Sequence, residues 1–205
     1  MEIMLWGIAG VAAVAYLPLT ARPPALWRSG IKTLPVAVFA LIGGLSGAPL
    51  LLIAGLALSA FGDWALSRPG ERAFLIGLIG FALGHLCYFV LFAGRVEHLA
   101  FWTVLPFVVL ALSTELWLAP HTGGLKIPVR IYVLLICAMA VAAVNLPHTL
   151  RLASVGAVAF VLSDLILAIQ MFRLDKAGAL SRGAGYALWV LYVVAQALIL
   201  GAFVL

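Results

Sequence analysis

"ERAFLIGLIGFALGHLCYFVLFAGR", residues 71–95, decides the fold. Between Arg72 and Arg95 no residue carries a fixed charge. The run over 72–93 is long enough to cross a hydrocarbon core, which takes roughly 20 apolar residues as a helix. Its apolar character is continuous rather than alternating, so it reads as a helix and not as a barrel strand. Only helices and closed barrels satisfy every backbone group inside lipid. The rest of the chain is alike: 66% of its 205 residues are hydrophobic and 9% are charged. The mean hydropathy is +1.23. A water-soluble domain is roughly half apolar and about a quarter charged, so these values describe an integral membrane protein.

Working outward, comparable segments run over 2–20, 31–45, 48–67, 99–119, 126–146, 152–172 and 183–204. The expectation is an all-α polytopic membrane protein of about eight transmembrane helices, with 1–205 as a single transmembrane helical domain. Segment 31–45 is short and holds Pro35. The breaks, among them "ARPPALWRSG" (21–30), "SRPGER" (67–72), "PHTGG" (120–124) and "RLDKAGALSRG" (173–183), are clusters of Gly, Pro and charge expected of loops. The opening "MEIMLWGIAG" has Glu2 and no early positive charge, so it reads as a retained first helix rather than a secretory signal.

Basic residues set the orientation. Arg22, Arg28, Lys32, Arg68, Arg72, Lys126, Arg130, Arg173, Lys176 and Arg182 fall on odd-numbered loops and their flanks, against Arg95 and Arg151 on the other side. The positive-inside rule places the odd loops in the cytoplasm and both termini outside. This asymmetry explains the net charge of +5 without a nucleic-acid partner. The location expected is a bacterial inner membrane. There is also an internal echo. "IKTLPVAV" (31–38) resembles "LKIPVRIYV" (125–133), and "GDWAL" (62–66) resembles "SDLIL" (163–167), which suggests a four-plus-four parallel repeat.

Ionisable residues inside the membrane are costly, so each is a functional candidate. Lys32, Asp63, Glu115, Arg130, Tyr132 and Asp164 all fall in the cytoplasmic half of their segments. His85 and Gln196 lie nearer mid-membrane, and Asn145 is at the far end of its segment. Such bias to one leaflet implies a polar cavity opening to the cytoplasm. His85 and Tyr88 are i,i+3 neighbours, and Trp189, Tyr192 and Gln196 form one stripe. Gly80 and Gly84 give a GxxxG packing face, and Gly55, Ser59, Gly62, Gly156 and Ser163 keep the surroundings of the aspartates small. Plainer roles stand beside these. Asp63 and Asp164 could be interior ion pairs with Lys32 and Arg130, and His85 an interhelical donor. Tyr132 and Tyr192 could be packing aromatics, and Glu115 could snorkel to the interface. His98, His121 and His148 read as solvated loop residues, and Cys87 and Cys137 as small buried hydrophobes.

The pattern resembles the lysoplasmalogenase (YhhN-like) membrane family. The matching pieces are Lys32 with Pro35, "GDWAL" (62–66), "GFALGHLCYFVLF" (80–92), "VRIYVLLICAM" (129–139), "FVLSDLILAIQMF" (160–172) and "LYVVAQALI" (191–199). They run in family order over most of the chain, although that family more often reads Lys-Pro directly. The resemblance implies a hydrolase that cleaves the vinyl-ether bond of lysoplasmalogens to a fatty aldehyde and a glycerophospho-ethanolamine or -choline. It implies Asp63, Asp164 and His85 as catalytic residues, with Lys32, Tyr132, Ser163, Tyr192 and Gln196 around the substrate. Tyr88 and Arg130 join the substrate-binding set by position. The partners implied are a lysophospholipid, water and the surrounding lipids, with no cofactor.

The chemistry suits two carboxylates. Protonation of a vinyl ether at its β carbon yields an oxocarbenium ion, which water captures. One carboxyl would be the acid and another the anion that stabilises the cation, a division known from glycosidases. The deeper, leucine-flanked Asp164 suits the acid, and Asp63, level with Lys32 and Arg68, suits the anion; the reverse assignment stays open. Two aspartates and a histidine could also hold a divalent ion, which the reaction does not require. The main alternative is a small proton-coupled transporter, which would place its site at the midplane with access from both sides. A non-catalytic scaffold would need long loops or an amphipathic tail, and the chain shows neither.

Overall fold

Apolar runs of membrane length leave the backbone one way to pair its own polar groups, and the chain takes it. The computed structural model describes residues 1–175 and 178–205; Lys176, one of the basic residues used above for orientation, lies outside the described residues. The helices are α1 (Glu2–Tyr16), α2 (Leu26–Leu45), α3 (Leu50–Leu66), α4 (Glu71–Ala93), α5 (Phe101–Trp117), α6 (Lys126–Val144), α7 (Arg151–Phe172) and α8 (Ala179–Val204). Among the described residues there is no strand. Seven helical stretches are long and apolar enough to cross a membrane, and α3 is a shorter apolar helix of 17 residues.

Two boundaries differ from the sequence expectation. α2 opens at Leu26 rather than at 31, and Pro35 lies buried inside it. The polar residues that read as loop are satisfied locally. Arg28 donates through Nε to Leu19 O at 2.7 Å and through Nη2 to Thr20 O at 3.0 Å, and Ser29 Oγ donates to Ala25 O at 3.0 Å. Likewise α8 opens at Ala179, ahead of Arg182 and Gly183.

The packing order repeats. α7 lies most closely on α8, and α3 on α4. α1 packs along α2 and α5 along α6; α2 lies on α3 and α6 on α7. The two sets of four meet where α4 lies on α6 and α2 on α8. Each contact in one half therefore has its counterpart in the other, as the paired sequence segments suggest.

Between helices in lipid there is no hydrophobic gain, so close packing and hydrogen bonds hold the bundle. Glycine makes the closest approaches. A Cβ on Gly80 would lie 3.3 Å from Gly62 Cα, and one on Gly84 would lie 3.1 Å from Gly55 O, so α3 and α4 meet backbone to backbone. A Cβ on Gly156 would lie 2.8 Å from Ala195 O and 3.1 Å from Ile199 N. Ser163 Oγ donates to Leu188 O at 3.0 Å across the same α7–α8 seam. Asn145 joins α6 to the start of α5: its Oδ1 accepts from Ala100 N at 2.8 Å and its Nδ2 donates to Thr103 Oγ1 at 2.8 Å. At the other end of α5, Arg173 Nη1 donates to Trp117 O at 3.0 Å.

Gly156→Ala drives a methyl into α8 backbone that cannot swing aside. It is expected to lower unfolding stability in detergent by about 1–3 kcal/mol, the usual range for overpacking. Gly10→Ala, which meets nothing within 4 Å, is expected to leave the thermal midpoint unchanged.

Candidate active site

A carboxylate held away from water needs a partner for its charge. Asp63, near the end of α3, is 1% exposed. Lys32 Nζ of α2 lies 3.2 Å from its Oδ1, and Tyr192 of α8 donates its hydroxyl to Oδ2 at 2.6 Å. Both oxygens are engaged. Asp164 occupies the matching place on α7 with a side chain 13% exposed. Tyr132 of α6 donates a short hydrogen bond to its Oδ2. His85 Nε2 of α4 lies 3.6 Å from the same oxygen. Each aspartate is thus served by a helix of its own half and by the last helix of the other half.

The histidine constrains where a proton can sit. His85 Nδ1 is 2.6 Å from Phe81 O. A carbonyl only accepts, so Nδ1 carries a hydrogen. Nε2 then has either a lone pair or a second N–H. It is buried with no hydrogen-bond partner and faces the Asp164 carboxyl. A lone pair set against a carboxylate repels. The pair is therefore favourable when it holds one proton, as carboxylic acid and imidazole or as carboxylate and imidazolium.

Aromatic rings fill the space between the two clusters. The Phe160 ring lies 4.6 Å from His85 and 5.4 Å from Tyr192, centroid to centroid, and Phe81 lies 5.7 Å from Tyr192. One turn further from the helix ends that carry Lys32 and Arg68, Tyr88 donates to Gln196 Oε1 at 2.7 Å. Gln196 Nε2 is buried without a partner.

Two cavities adjoin the site. The first, about 80 Å³, is an apolar slot between α4, α5, α6 and α7, with Asp164 and Tyr132 in its wall. The second, about 760 Å³, is a wider, polar mouth that includes Lys32, Arg68, Glu71 and Gln170. Leu66, Phe74, Met171 and Phe172 belong to both walls. The combined shape is narrow and apolar at one end, wide and charged at the other.

The structure brings together Asp63, Lys32 and Tyr192 in one cluster, and Asp164, His85 and Tyr132 in the other. Tyr88 and Gln196 pair beside them. Ser163 is next to Asp164 in sequence, but its hydroxyl is bound to an α8 carbonyl. Arg130 stands apart from the aspartates. It grips Glu115 with two hydrogen bonds, Nε to Oε1 at 2.7 Å and a shorter one from Nη2 to Oε2, on side chains 43% and 40% exposed. Asp164 therefore takes its partners from Tyr132 and His85, not from Arg130. Arg28, another basic residue of the same end, is turned to the carbonyls that follow α1. Phe81, Phe160 and Glu71 join the site without a signal in the sequence: the phenylalanines look like any apolar residue, and the glutamate looks like loop. No group of three or more His, Cys, Asp or Glu side chains is placed to hold a metal among the described residues.

Fold and site together define an all-α polytopic membrane protein with an intramembrane carboxylate site. The chain belongs to the YhhN family, whose model matches residues 27–203. It is 30% identical to a lysoplasmalogenase of Mycobacterium bovis and to one of Mycobacterium tuberculosis, in each case over 97% of this chain and 83% of the relative. No solved structure matches it.

Lys32→Met strips the buried Asp63 carboxylate of its counter-charge. It is expected to cost about 3 kcal/mol in detergent unfolding, the low end for breaking a buried pair. Adding Asp63→Asn should recover part of that loss. Arg130→Ala, at an exposed pair, should leave the unfolding midpoint unchanged.

Proposed function

We propose that this chain is a membrane lysoplasmalogenase that hydrolyses the vinyl-ether bond of lysoplasmalogen to a fatty aldehyde and a glycerophospho-alcohol. The observation that carries this reading is the pair Asp164 and Tyr132 in the wall of an apolar slot that adjoins a charged mouth, with His85 behind Asp164. A lysophospholipid has one tail, whose first few carbons suit an apolar slot of this size, and a phosphate, which suits a mouth with Lys32 and Arg68. Its ether bond would then enter the slot, in whose wall Asp164 stands.

Asp164 and His85 supply the acid. The proton they share passes to the β carbon of the vinyl ether, and the carbon–carbon π electrons form the new C–H bond. The α carbon becomes an oxocarbenium ion. The carboxylate left behind, held by Tyr132, stabilises that cation at short range. Water then bonds to the α carbon and returns one proton to the Asp164–His85 pair, which gives a hemiacetal. In the collapse the Asp164–His85 pair gives its proton to the glycerol oxygen as that C–O bond breaks and takes up the proton of the hemiacetal hydroxyl as the C=O bond forms, which releases aldehyde and alcohol and restores the pair. Proton transfer by a placed side chain is worth roughly 10²–10⁴ in rate. Asp63 adds fixed negative charge and holds Lys32 at the mouth; with both oxygens engaged it is an anchor rather than the acid.

Both cavities lie at the end of the bundle where α3, α5 and α7 finish. The basic residues gather at that end, so the proposed face is cytoplasmic, in a bacterial inner membrane. Access from one end suits an enzyme better than a carrier.

Purified protein is expected to release fatty aldehyde from lysoplasmalogen. Asp164→Asn is expected to lower the rate by about 10³-fold or more, and His85→Gln by about 10²-fold. Arg130→Ala, remote from both aspartates, should stay within roughly three-fold of the parent, the margin of a surface pair. Near-parental aldehyde release by Asp164→Asn would overturn the mechanism. No release from well-folded parent protein would overturn the activity itself.

A further inference from the structure

The charges that face the mouth form an unusual set. Its fixed charges among the described residues are Lys32, Arg68 and Glu71. Lys32 is offset by Asp63 at 3.2 Å. That leaves one cation and one anion. Neither Arg68 nor Glu71 makes an ion pair among the described residues. Arg68 Nε is buried without a hydrogen-bond partner, and its guanidinium lies 5.0 Å from the Trp64 ring centroid. Glu71 opens α4. A methyl placed on Gly124, across the mouth on the turn before α6, would lie 4.0 Å from Glu71 Oε1. Its carboxylate therefore stands over the cavity.

The turn that joins α3 to α4 sets the two charges three residues apart. Gly70 takes a φ of 101°, which reverses the chain so that Arg68 and Glu71 share one rim. A ligand that meets both best carries an anion and a cation a few bonds apart. A phosphodiester joined to an ammonium through two carbons has that form.

We propose that Glu71 is a specificity-determining residue that binds the ammonium of a zwitterionic headgroup while Arg68 holds its phosphate. This rests on the reading that an ether lysolipid occupies the slot and the mouth. A headgroup with the same phosphodiester but no amine leaves Glu71 facing negative charge alone, and like charge against like is how a site rejects a competitor.

The test is binding, so that it does not depend on turnover. Two saturated ether lysolipids, 1-O-alkyl-glycerophosphocholine and 1-O-alkyl-glycerophosphoglycerol of equal chain length, share tail and phosphodiester and differ in the headgroup alcohol, an ammonium in one and two hydroxyls in the other. Apparent affinities come from thermal stabilisation of the full chain in micelles, with the lipid-free midpoint reporting that each variant is folded. The parent should bind the choline lipid about five-fold more tightly, as an exposed charge pair allows. Glu71→Gln should bring the ratio to about one, and Glu71→Lys should reverse it. Arg68→Gln should weaken both lipids alike. A ratio that Glu71→Gln and Glu71→Lys leave unchanged would overturn the proposal, as would an Arg68→Gln effect confined to the choline lipid. If the ratios follow expectation and no aldehyde forms from lysoplasmalogen, the headgroup site stands and the hydrolase reading fails. If aldehyde forms and the ratios do not move, the hydrolase reading stands and Glu71 has no part in specificity.

Discussion

A carboxylate in hydrocarbon is tolerated only where donors or a counter-charge surround it, and that requirement organises this bundle. Asp63 sits almost wholly out of solvent and is met by an ammonium from α2 and a phenol from α8. Asp164 is met by a phenol from α6 and an imidazole from α4. Four helices must converge on α3 and α7 for these contacts to exist. The glycine approaches between α3 and α4, and between α7 and α8, let them converge, because lipid offers no hydrophobic push to draw helices together.

The two clusters are related in place but not in kind. One binds its aspartate with a lysine and has both oxygens engaged. The other gives its aspartate a histidine whose second nitrogen has no other partner. The same scaffold position has thus become a fixed anion in one half and a proton-holding pair in the other. Two carboxylates at equivalent positions can carry different chemistry because their neighbours differ.

The helices were legible because continuous apolar runs have a single solution in lipid. Asp63 and Asp164 were legible because charge is rare there. The start of α2 was not, since Arg28 and Ser29 look like loop until their bonds to nearby carbonyls are seen. Nor was the partner of Arg130. Its depth in sequence suited Asp164, but the helix face it occupies turns it to Glu115. Sequence spacing reports depth well in a membrane helix and azimuth poorly. For the same reason Phe81 and Phe160, which separate the two clusters, could not be told from lipid-facing phenylalanines.

The crossed ownership of the site bears on how the chain enters its membrane. Synthesis delivers helices in order, so α2 and α3 bring Lys32 and Asp63 together from adjacent segments long before α8 exists. That carboxylate is neutralised early by its own half, and Tyr192 arrives last to complete it. His85 on α4 is bonded to a carbonyl of its own helix and meets its carboxylate only when α7 delivers Asp164. The order of translation protects the costlier charge first and assembles the proton-holding pair only when the bundle is nearly closed.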